Sequence, residues 1–384
     1  MIQRQKICLM ATLLLVAIVI HFLYLLHSQP IPQAYERSSP DHNSNLRIAT
    51  LNLRVPFLID IQHNLSWTQR RSSIITAIHN YQPHILAVQE DCYFMNQDIM
   101  NLQYAGSTKK EKLSDIYNRY GLFNRNGESI PSSSWPINAF SSIVGNDGEH
   151  DSVYYNKHVY ESLDNVTFWL SYTPNVAGSS FGEVTGRIVN CVLLQEKTSS
   201  TTDMIFFCST HFPSNNVTRQ LLSVDVLSQM FSQYQTKFMT THMDEEEKQH
   251  LTMMIAGDFN SIPNSQTYNA MIKSRFVDIR QLAKVSSDYT YTTNDWYGAK
   301  DSLIDYVWIY QPKGSYHSGS TSNLLSDNVQ SVKHISIPCC MDDDTSAELE
   351  DTISLVDDNI HNKINSDNKT GSDHLMVVVD FNYT

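Results

Sequence analysis

Apolar positions along this chain alternate more often than they recur every third or fourth residue. Short runs rich in Val, Ile, Phe, Leu and Tyr lie at 47–53, 84–89, 152–156, 165–170, 187–195, 204–210, 251–257, 304–310, 330–337 and 375–381, and each reads as a β-strand. Two stretches carry helical spacing instead. Residues 66–81 place Ile74, Ile75, Ala77 and Ile78 on one face before Pro83, and residues 217–235 do the same with Leu221, Leu222, Leu227, Met230, Phe231 and Tyr234. Many strands, interrupted by helices without strict alternation, predict sheet packed on sheet with helices outside, an α+β architecture.

The N-terminus follows neither pattern. Arg4 and Lys6 precede a run from Ile7 to Leu26 that is apolar except at Thr12, His21 and Tyr24, long enough to cross a bilayer as a helix. No small-x-small cleavage site follows at Ser28-Gln29-Pro30, so residues 1–27 read as a signal anchor rather than a cleaved signal. The basic flank would keep that end cytosolic and place the rest on the lumenal or extracellular side; cleavage would make the protein secreted. Residues 28–45, rich in Pro, Ser, Asn and Gln, read as a linker to a folded domain over 46–384. Within it, 341–368 is an acidic insertion containing Asp342, Asp343, Asp344, Glu348, Glu350, Asp351, Asp357 and Asp358. It has too few large apolar residues for a core and lacks EF-hand spacing, so it reads as solvated rather than as a calcium site.

A formal net charge of −13 over 384 residues argues against a surface built for long duplex DNA. The chain has no glycine-rich phosphate loop and no CxxC pair. Sequons at Asn64, Asn165, Asn216, Asn368 and Asn382 fit an exported domain. Beyond Cys8 the cysteines are Cys92, Cys191, Cys208, Cys339 and Cys340; this leaves room for one or two disulfides, with Cys191 and Cys208 readable equally as core residues.

The candidate chemistry sits where strands stop. Met253 to Pro263 is an apolar strand broken by Gly257-Asp258-Phe259-Asn260, which reads either as a cleft-facing acid and amide or as an Asp-x-Asn turn cap. Recurrence favours the cleft: Gln89-Glu90 and Thr210-His211 close strands, Ile304-Asp305-Tyr306 sets an acid in an apolar run, and Asp373-His374 opens the last one. Hydrolysis of a phosphoester needs such a set. Glu90, with Asn52 and Asp373, would hold a hard cation, Mg²⁺ with Mn²⁺ as a substitute. Asn260 and His211 would hydrogen-bond phosphoryl oxygens, while His374, oriented by Asp305, and Asp258 share the water-activating role undivided.

These motifs, in this order over residues 46–384, resemble the endonuclease/exonuclease/phosphatase superfamily, the fold group of DNase I. The resemblance implies a four-layer sandwich, two mixed β-sheets face to face with helices outside, and a divalent-metal phosphodiesterase, phosphatase or nuclease. Gly257-Asp258-Phe259-Asn260-Ser261 through Tyr268 is similar to the carbon-catabolite-repressor and nocturnin type, which implies a 3′-to-5′ RNA exonuclease as the alternative. Asn52-Leu53-Arg54, Ser66-Trp67 with Arg70, and Phe168-Trp169-Leu170-Ser171 resemble a mainly bacterial set of metal-dependent hydrolases, in which an arginine matching Arg187 begins a strand and implies a phosphate contact. Gln89-Glu90-Asp91 and His211-Phe212-Pro213 depart from the family pattern beside the pocket. The expected partners are a phosphoester substrate, RNA or a nucleotide among the options, and a membrane through the N-terminal helix, with no protein partner. A membrane-tethered binding protein without turnover is the third reading.

Overall fold

The computed structural model describes residues 45–57, 60, 65–103, 111–130, 148–183, 186–198, 203–241, 251–286, 291–293, 302–312, 328–337 and 372–382. The anchor, the linker up to residue 44, the acidic insertion, Cys339, Cys340 and the sequons at Asn64 and Asn368 lie outside them, and Asn45, the linker's last residue as expected, instead opens the first strand. Among the described residues no helix is long and apolar enough to cross a membrane.

In chain order the elements are β1 (Asn45–Asn52), α1 (Trp67–Tyr81), β2 (Ile85–Asp91), α2 (Tyr93–Asn101), α3 (Leu113–Ile116), β3 (Tyr117–Tyr120), β4 (His150–Asn156), β5 (Tyr160–Trp169), β6 (Ile188–Glu196) and β7 (Met204–His211). There follow α4 (Val217–Thr241), β8 (Leu251–Asp258), α5 (Gln266–Lys273), β9 (Phe276–Asp278), β10 (Val285–Ser286), β11 (Asp305–Tyr310), β12 (Val329–Ile335) and β13 (Met376–Asn382). Every strand expected from the pattern, and both helices expected within residues 46–384, are present. The elements the pattern did not reveal are α2, α3, α5, β3, β9 and β10, which are short and so offer little periodicity. α5 carries one local signal, Ser265, whose hydroxyl accepts the Tyr268 N–H and caps the helix.

The strands form two mixed sheets. The first, of seven strands, runs β10-β12-β13-β1-β2-β4-β3, and the second, of six, runs β5-β6-β7-β8-β11-β9. Among the described residues only the pairs β1–β2, β10–β12 and β7–β8 are parallel. Alternate residues of one strand serve different layers: Ile85 and Ala87 of β2 meet Val192, Ile205, Phe207 and Met254 between the sheets, while Leu86 and Val88 pack outward on Ile74, Ile78 and Met95 of α1 and α2. On the other side Phe206 and Ile255 pack against Leu227, Phe231 and Phe238 of α4. Burial on both faces explains why the strands read as near-continuous apolar runs. The layers are therefore helix, sheet, sheet, helix, the four-layer sandwich expected.

α1 begins where Gln69 reaches back to accept the Ser66 N–H at 3.0 Å, and it stops at Gln82, in a left-handed conformation ahead of Pro83. On β6 and β7, directly opposed Cys191 and Cys208 form a disulfide, so the choice between core residue and bridge resolves as both: each is fully buried. Cys92, which opens α2, is fully buried.

Candidate active site

The register places the polar strand ends together. In the first sheet Asn52 of β1 lies beside Gln89 of β2. In the second, His211 of β7 lies beside Asp258 of β8, and Asp258 beside Asp305 of β11. Because the sheets face each other, both sets of ends open on one cleft. Gln89 donates across to Ser209 at 3.0 Å and so pins the two sheets directly beneath it.

Backbone strain aims several of the cleft side chains. The β2–β4 register pairs Val88 with Ser152 and then Asp91 with His150, so one extra residue bulges from β2. Glu90 sits in that bulge with φ of 56°, and Arg54 and Asn260 at the neighbouring strand exits have φ of 57° and 47°. Left-handed backbone at non-glycine residues costs about 1–3 kcal/mol each and gathers where the surroundings hold it for a purpose. Gly257 has φ of 150°, and a Cβ there would stand 1.9 Å from the Thr210 carbonyl oxygen, so only glycine lets β8 lie this close to β7 just before Asp258.

Asn52 is the hub of the cleft, its Nδ2 donating to Glu90 at 3.0 Å and to Asp258 Oδ2 at 3.2 Å. Glu90 also accepts the Val55 N–H at 2.6 Å. Asn260 donates to His211 Nε2 at 2.9 Å, leaving the proton of a neutral ring on Nδ1, 3.9 Å from Glu90. His374 gives Nδ1–H to Asp305 Oδ2 at 2.9 Å and turns Nε2 toward Asp258 Oδ2, 3.8 Å away. Arg54 holds Asp373 at 2.5 Å and Asp60 at 3.2 Å. Behind it, fully buried Arg70 donates to the carbonyls of Leu53 and Arg54 at 2.6 and 2.8 Å and fixes that turn.

The two histidines take opposite charge states. Burial, then the charges of Arg187 and His374, push His211 well below the ordinary histidine range. Burial also opposes charge on His374, but Asp305, Asp258 and Asp373 outweigh it and hold the ring protonated well above that range. Burial and the Asp305 carboxylate push the Asp258 carboxyl up to about 7.

Donor atoms of Asp258, Asp305 and His374 lie within 4.8 Å of one another. That grouping is already an ion pair with a protonated imidazole, which cannot ligate, so it suits proton handling better than a cation. The oxygen donors of Glu90 and Asp373 fit a hard cation better, and Asp373 Oδ1 is buried without a hydrogen bond.

All the residues singled out from sequence converge on this cleft except that Arg187, one residue before β6, stands at its flank, its charge felt by His211. Sequence reasoning assigned no role to Arg54 or Arg70 and missed Thr292, whose hydroxyl accepts the N–H groups of Ile304 and Asp305 at 3.0 Å. It also missed Glu149 and Asp151 beside Glu90 and His211. The paired acids opening the 152–156 run were the available signal for the last two.

A cleft of carboxylates, amides and two histidines across a double-sheet sandwich defines a DNase I-like phosphoester hydrolase. Residues 49–374 match the Endonuclease/Exonuclease/phosphatase family, and the chain belongs to it. Members of that family hydrolyse phosphoesters and generally use divalent metals. No curated protein matches the chain in sequence. Among solved structures, a family member from Bacteroides thetaiotaomicron is 17% identical with a TM-score of 0.60, over 88% of this chain and 98% of that one. The mannosyl-6-phosphatase Bt3783 of the same organism is 18% identical with a TM-score of 0.59, over 87% and 98%. The human Nocturnin catalytic domain with bound sulfate is 15% identical with a TM-score of 0.49, over 90% and 96%. At 17% and 18% identity the likeness to the two Bacteroides structures is one of fold.

Proposed function

We propose that this protein is a Mg²⁺-dependent phosphoester hydrolase in which an activated water attacks phosphorus. The observation that carries the reading is the hydrogen-bonded set Glu90–Asn52–Asp258, joined by His211–Asn260 and His374–Asp305, at one cleft. Glu90, Asp373 and Asn52 would hold the cation, with Mn²⁺ as a substitute. When bound, it neutralises charge on the phosphoryl group and offers open positions to water and substrate.

The chain's own groups divide the remaining work. His374, kept charged by Asp305, cannot take a proton and instead donates from Nε2 to a phosphoryl oxygen. That leaves Asp258 as the base for the attacking water, its Oδ1 fixed by the Asn260 N–H at 2.8 Å. Neutral His211 supplies a further hydrogen bond from Nδ1 as charge moves onto the equatorial oxygens, held in that tautomer by Asn260, whose Nδ2 protons go to His211 Nε2 and the Phe212 carbonyl, and Arg187 adds a positive charge at the flank.

A sugar phosphate is the first substrate to try, since a structural relative bears the name mannosyl-6-phosphatase. The RNA exonuclease alternative rests on the motif at 257–268, and the net charge of −13 weighs against it. For the cellular setting we propose an exported domain tethered by residues 7–26; the buried Cys191–Cys208 bridge supports an oxidising compartment.

The test uses the full chain in detergent with p-nitrophenyl phosphate and bis(p-nitrophenyl) phosphate. Turnover should need Mg²⁺ or Mn²⁺, and Glu90→Ala and His211→Ala should each lower it about 10²-fold or more. Equal rates in wild type and both variants would overturn the reading, and absent turnover would leave the tethered binding protein.

A further inference from the structure

A strand at the edge of a sheet presents unpaired backbone N–H and C=O groups, to which a strand of another chain can pair. Among the described residues three of the four sheet edges are short: β10 has two residues, β9 three and β3 four. The fourth, β5, has ten, and no described strand pairs with its outer side. Its C-terminal end is closed by its own loop, where the Trp169 N–H donates to the Pro174 carbonyl at 2.8 Å. The middle is open. A bulge lies between Ser162 and Asp164, Leu163 within it is 37% exposed, and Glu161 and Asn165 are exposed on either side. α4 reaches this part of the strand through Lys237, whose Nζ stands 2.7 Å from Asp164 Oδ2, but a helix on the face of a sheet leaves the edge uncovered.

Asn165 occupies the middle of that edge. Its backbone N–H goes to the Asp164 side chain at 2.8 Å, which marks it as one of the alternate residues whose backbone points away from β6. An arriving strand would have to pair there. The Ser162 hydroxyl donates to Asn165 Oδ1 at 3.0 Å and so orients the side-chain amide, leaving Nδ2 without a partner among the described residues.

Asn165-Val166-Thr167 is at the same time a sequon. Asn216 begins the same tripeptide in a different setting: it is half-buried, and its Oδ1 caps α4 by accepting the Arg219 N–H at 3.0 Å. Of these two asparagines, Asn165 is the one with open surroundings.

We propose that Asn165 carries an N-linked glycan, and that this glycan shields the long open edge of β5 from pairing with a second chain. The inference rests on the exported-domain reading and is independent of the chemistry in the cleft. The donor is a lipid-linked oligosaccharyl diphosphate in the lumen. A bond forms between Asn165 Nδ2 and C1 of the first sugar, the bond from C1 to the diphosphate oxygen breaks, the amide gives up one proton, and the lipid diphosphate leaves. Oδ1 is untouched, so the Ser162 contact survives the modification. A bulky, hydrated oligosaccharide rooted at this point fills the space that an added strand needs, the role that a Lys or Pro takes on other edges.

The test expresses the full chain in insect cells as wild type, Asn165→Gln and Asn165→Lys. Thr167 is left in place because its hydroxyl donates to Asn190 Oδ1 at 2.7 Å. Three readouts are taken: protection of the domain from protease in intact microsomes, heavy-oxygen labelling of position 165 by peptide N-glycosidase followed by mass spectrometry, and the monomeric share in detergent by size exclusion with light scattering. Wild type is expected to be protected, labelled at 165 and monomeric. Asn165→Gln should lose one glycan and pass into aggregates on incubation, whereas Asn165→Lys, which lacks the glycan but sets a charge on the edge, should stay monomeric. A protected domain unlabelled at 165 would overturn the glycan and leave the exported reading standing. A domain open to protease in intact microsomes would sink both. A labelled wild type whose Asn165→Gln variant stays equally monomeric would overturn the shielding role, and so would an Asn165→Lys variant that aggregates as fast as Asn165→Gln.

Discussion

Asn52 Nδ2 donates to Asp258 Oδ2 across 3.2 Å, a hydrogen bond between the two sheets that spans 206 residues of chain. Its second proton goes to Glu90 at 3.0 Å, so one neutral amide keeps two carboxylates in register. Asn52→Ala would remove that shared donor and leave the acids to repel each other. Loss of a hydrogen-bonding group behind metal-site carboxylates lowers metal affinity or activity about 10- to 100-fold. The variant should show a fall of that size in kcat/KM or an equal rise in half-saturating Mg²⁺. Wild-type values for both would refute the assignment.

Asp305 acts through His374. Its Oδ2 holds Nδ1 at 2.9 Å, while its Oδ1 is buried without a hydrogen bond. Asp305→Asn keeps the shape but withdraws the charge that keeps the ring protonated. The expected result is a drop in kcat of about 10²- to 10⁴-fold with KM nearly unchanged, accompanied by a loss of stability of up to about 3–5 kcal/mol because the buried imidazolium loses its partner. Urea denaturation of the same preparation shows that the variant is folded under the conditions of the kinetic assay. A folded variant with the kcat of the wild type would contradict it.

Gly257 is a different kind of requirement. A methyl at Gly257→Ala would have to occupy space 1.9 Å from the Thr210 carbonyl oxygen, on a backbone of φ 150° that other residues avoid. Neither strand can yield, since His211 and Asp258 pair immediately beyond. Destabilisation of roughly 3 kcal/mol or more is expected, read from the denaturation midpoint. A substitution that leaves the midpoint in place would show that β7 and β8 can part locally.

Most of the fold was legible because strands buried on both faces advertise themselves as unbroken apolar runs, and the site was legible because those runs stop on Asn52, Glu90, His211 and Asp258. What stayed hidden depended on geometry that residue order does not encode. That Glu90 is swung into the cleft by a bulge follows from the pairing of β2 with β4, and β4 lies beyond a long intervening segment. Asp91 looked like a departure beside the pocket. It is instead a fully buried anchor that takes the Ser152 hydroxyl at 2.6 Å and the Tyr154 hydroxyl at 3.2 Å, and only the fold brings those groups to it. Arg54 and Arg70 gave no signal of role, because an arginine's partner acids are set by tertiary contact.

The Cys191–Cys208 bridge joins neighbouring strands through buried sulfurs whose residues stand 17 positions apart in sequence. Closing a loop of that size restricts the unfolded chain by about 3 kcal/mol. Reduction under denaturing conditions, or Cys191→Ala combined with Cys208→Ala, should lower unfolding free energy by about that much. Two buried alanines add a packing loss on top in the double variant. Identical denaturation curves with and without reductant would mean that the two thiols do not pair in the purified protein.

Acid stability offers a test that does not depend on turnover. Burial, with the Arg280 charge nearby, pushes His334 down to about 3, whereas in the unfolded chain the ring titrates near 6.5. Between those two values the unfolded chain binds a proton that the folded protein refuses. Unfolding free energy should therefore rise with pH across that window by about 1.4 kcal/mol per pH unit from this one ring, and its contribution should be level above 6.5. His150 and His211 are held neutral by burial in the same way and add slopes of the same sign. The His334 share is isolated by difference: His334→Gln should flatten the dependence below pH 6.5 relative to wild type and leave the curves parallel above it. Urea denaturation at half-unit intervals from pH 4.5 to 8 measures both limbs. Parallel curves throughout would mean that His334 becomes protonated in the folded state, and that the strand pairing of β12 with β13 admits a charge it is built to exclude.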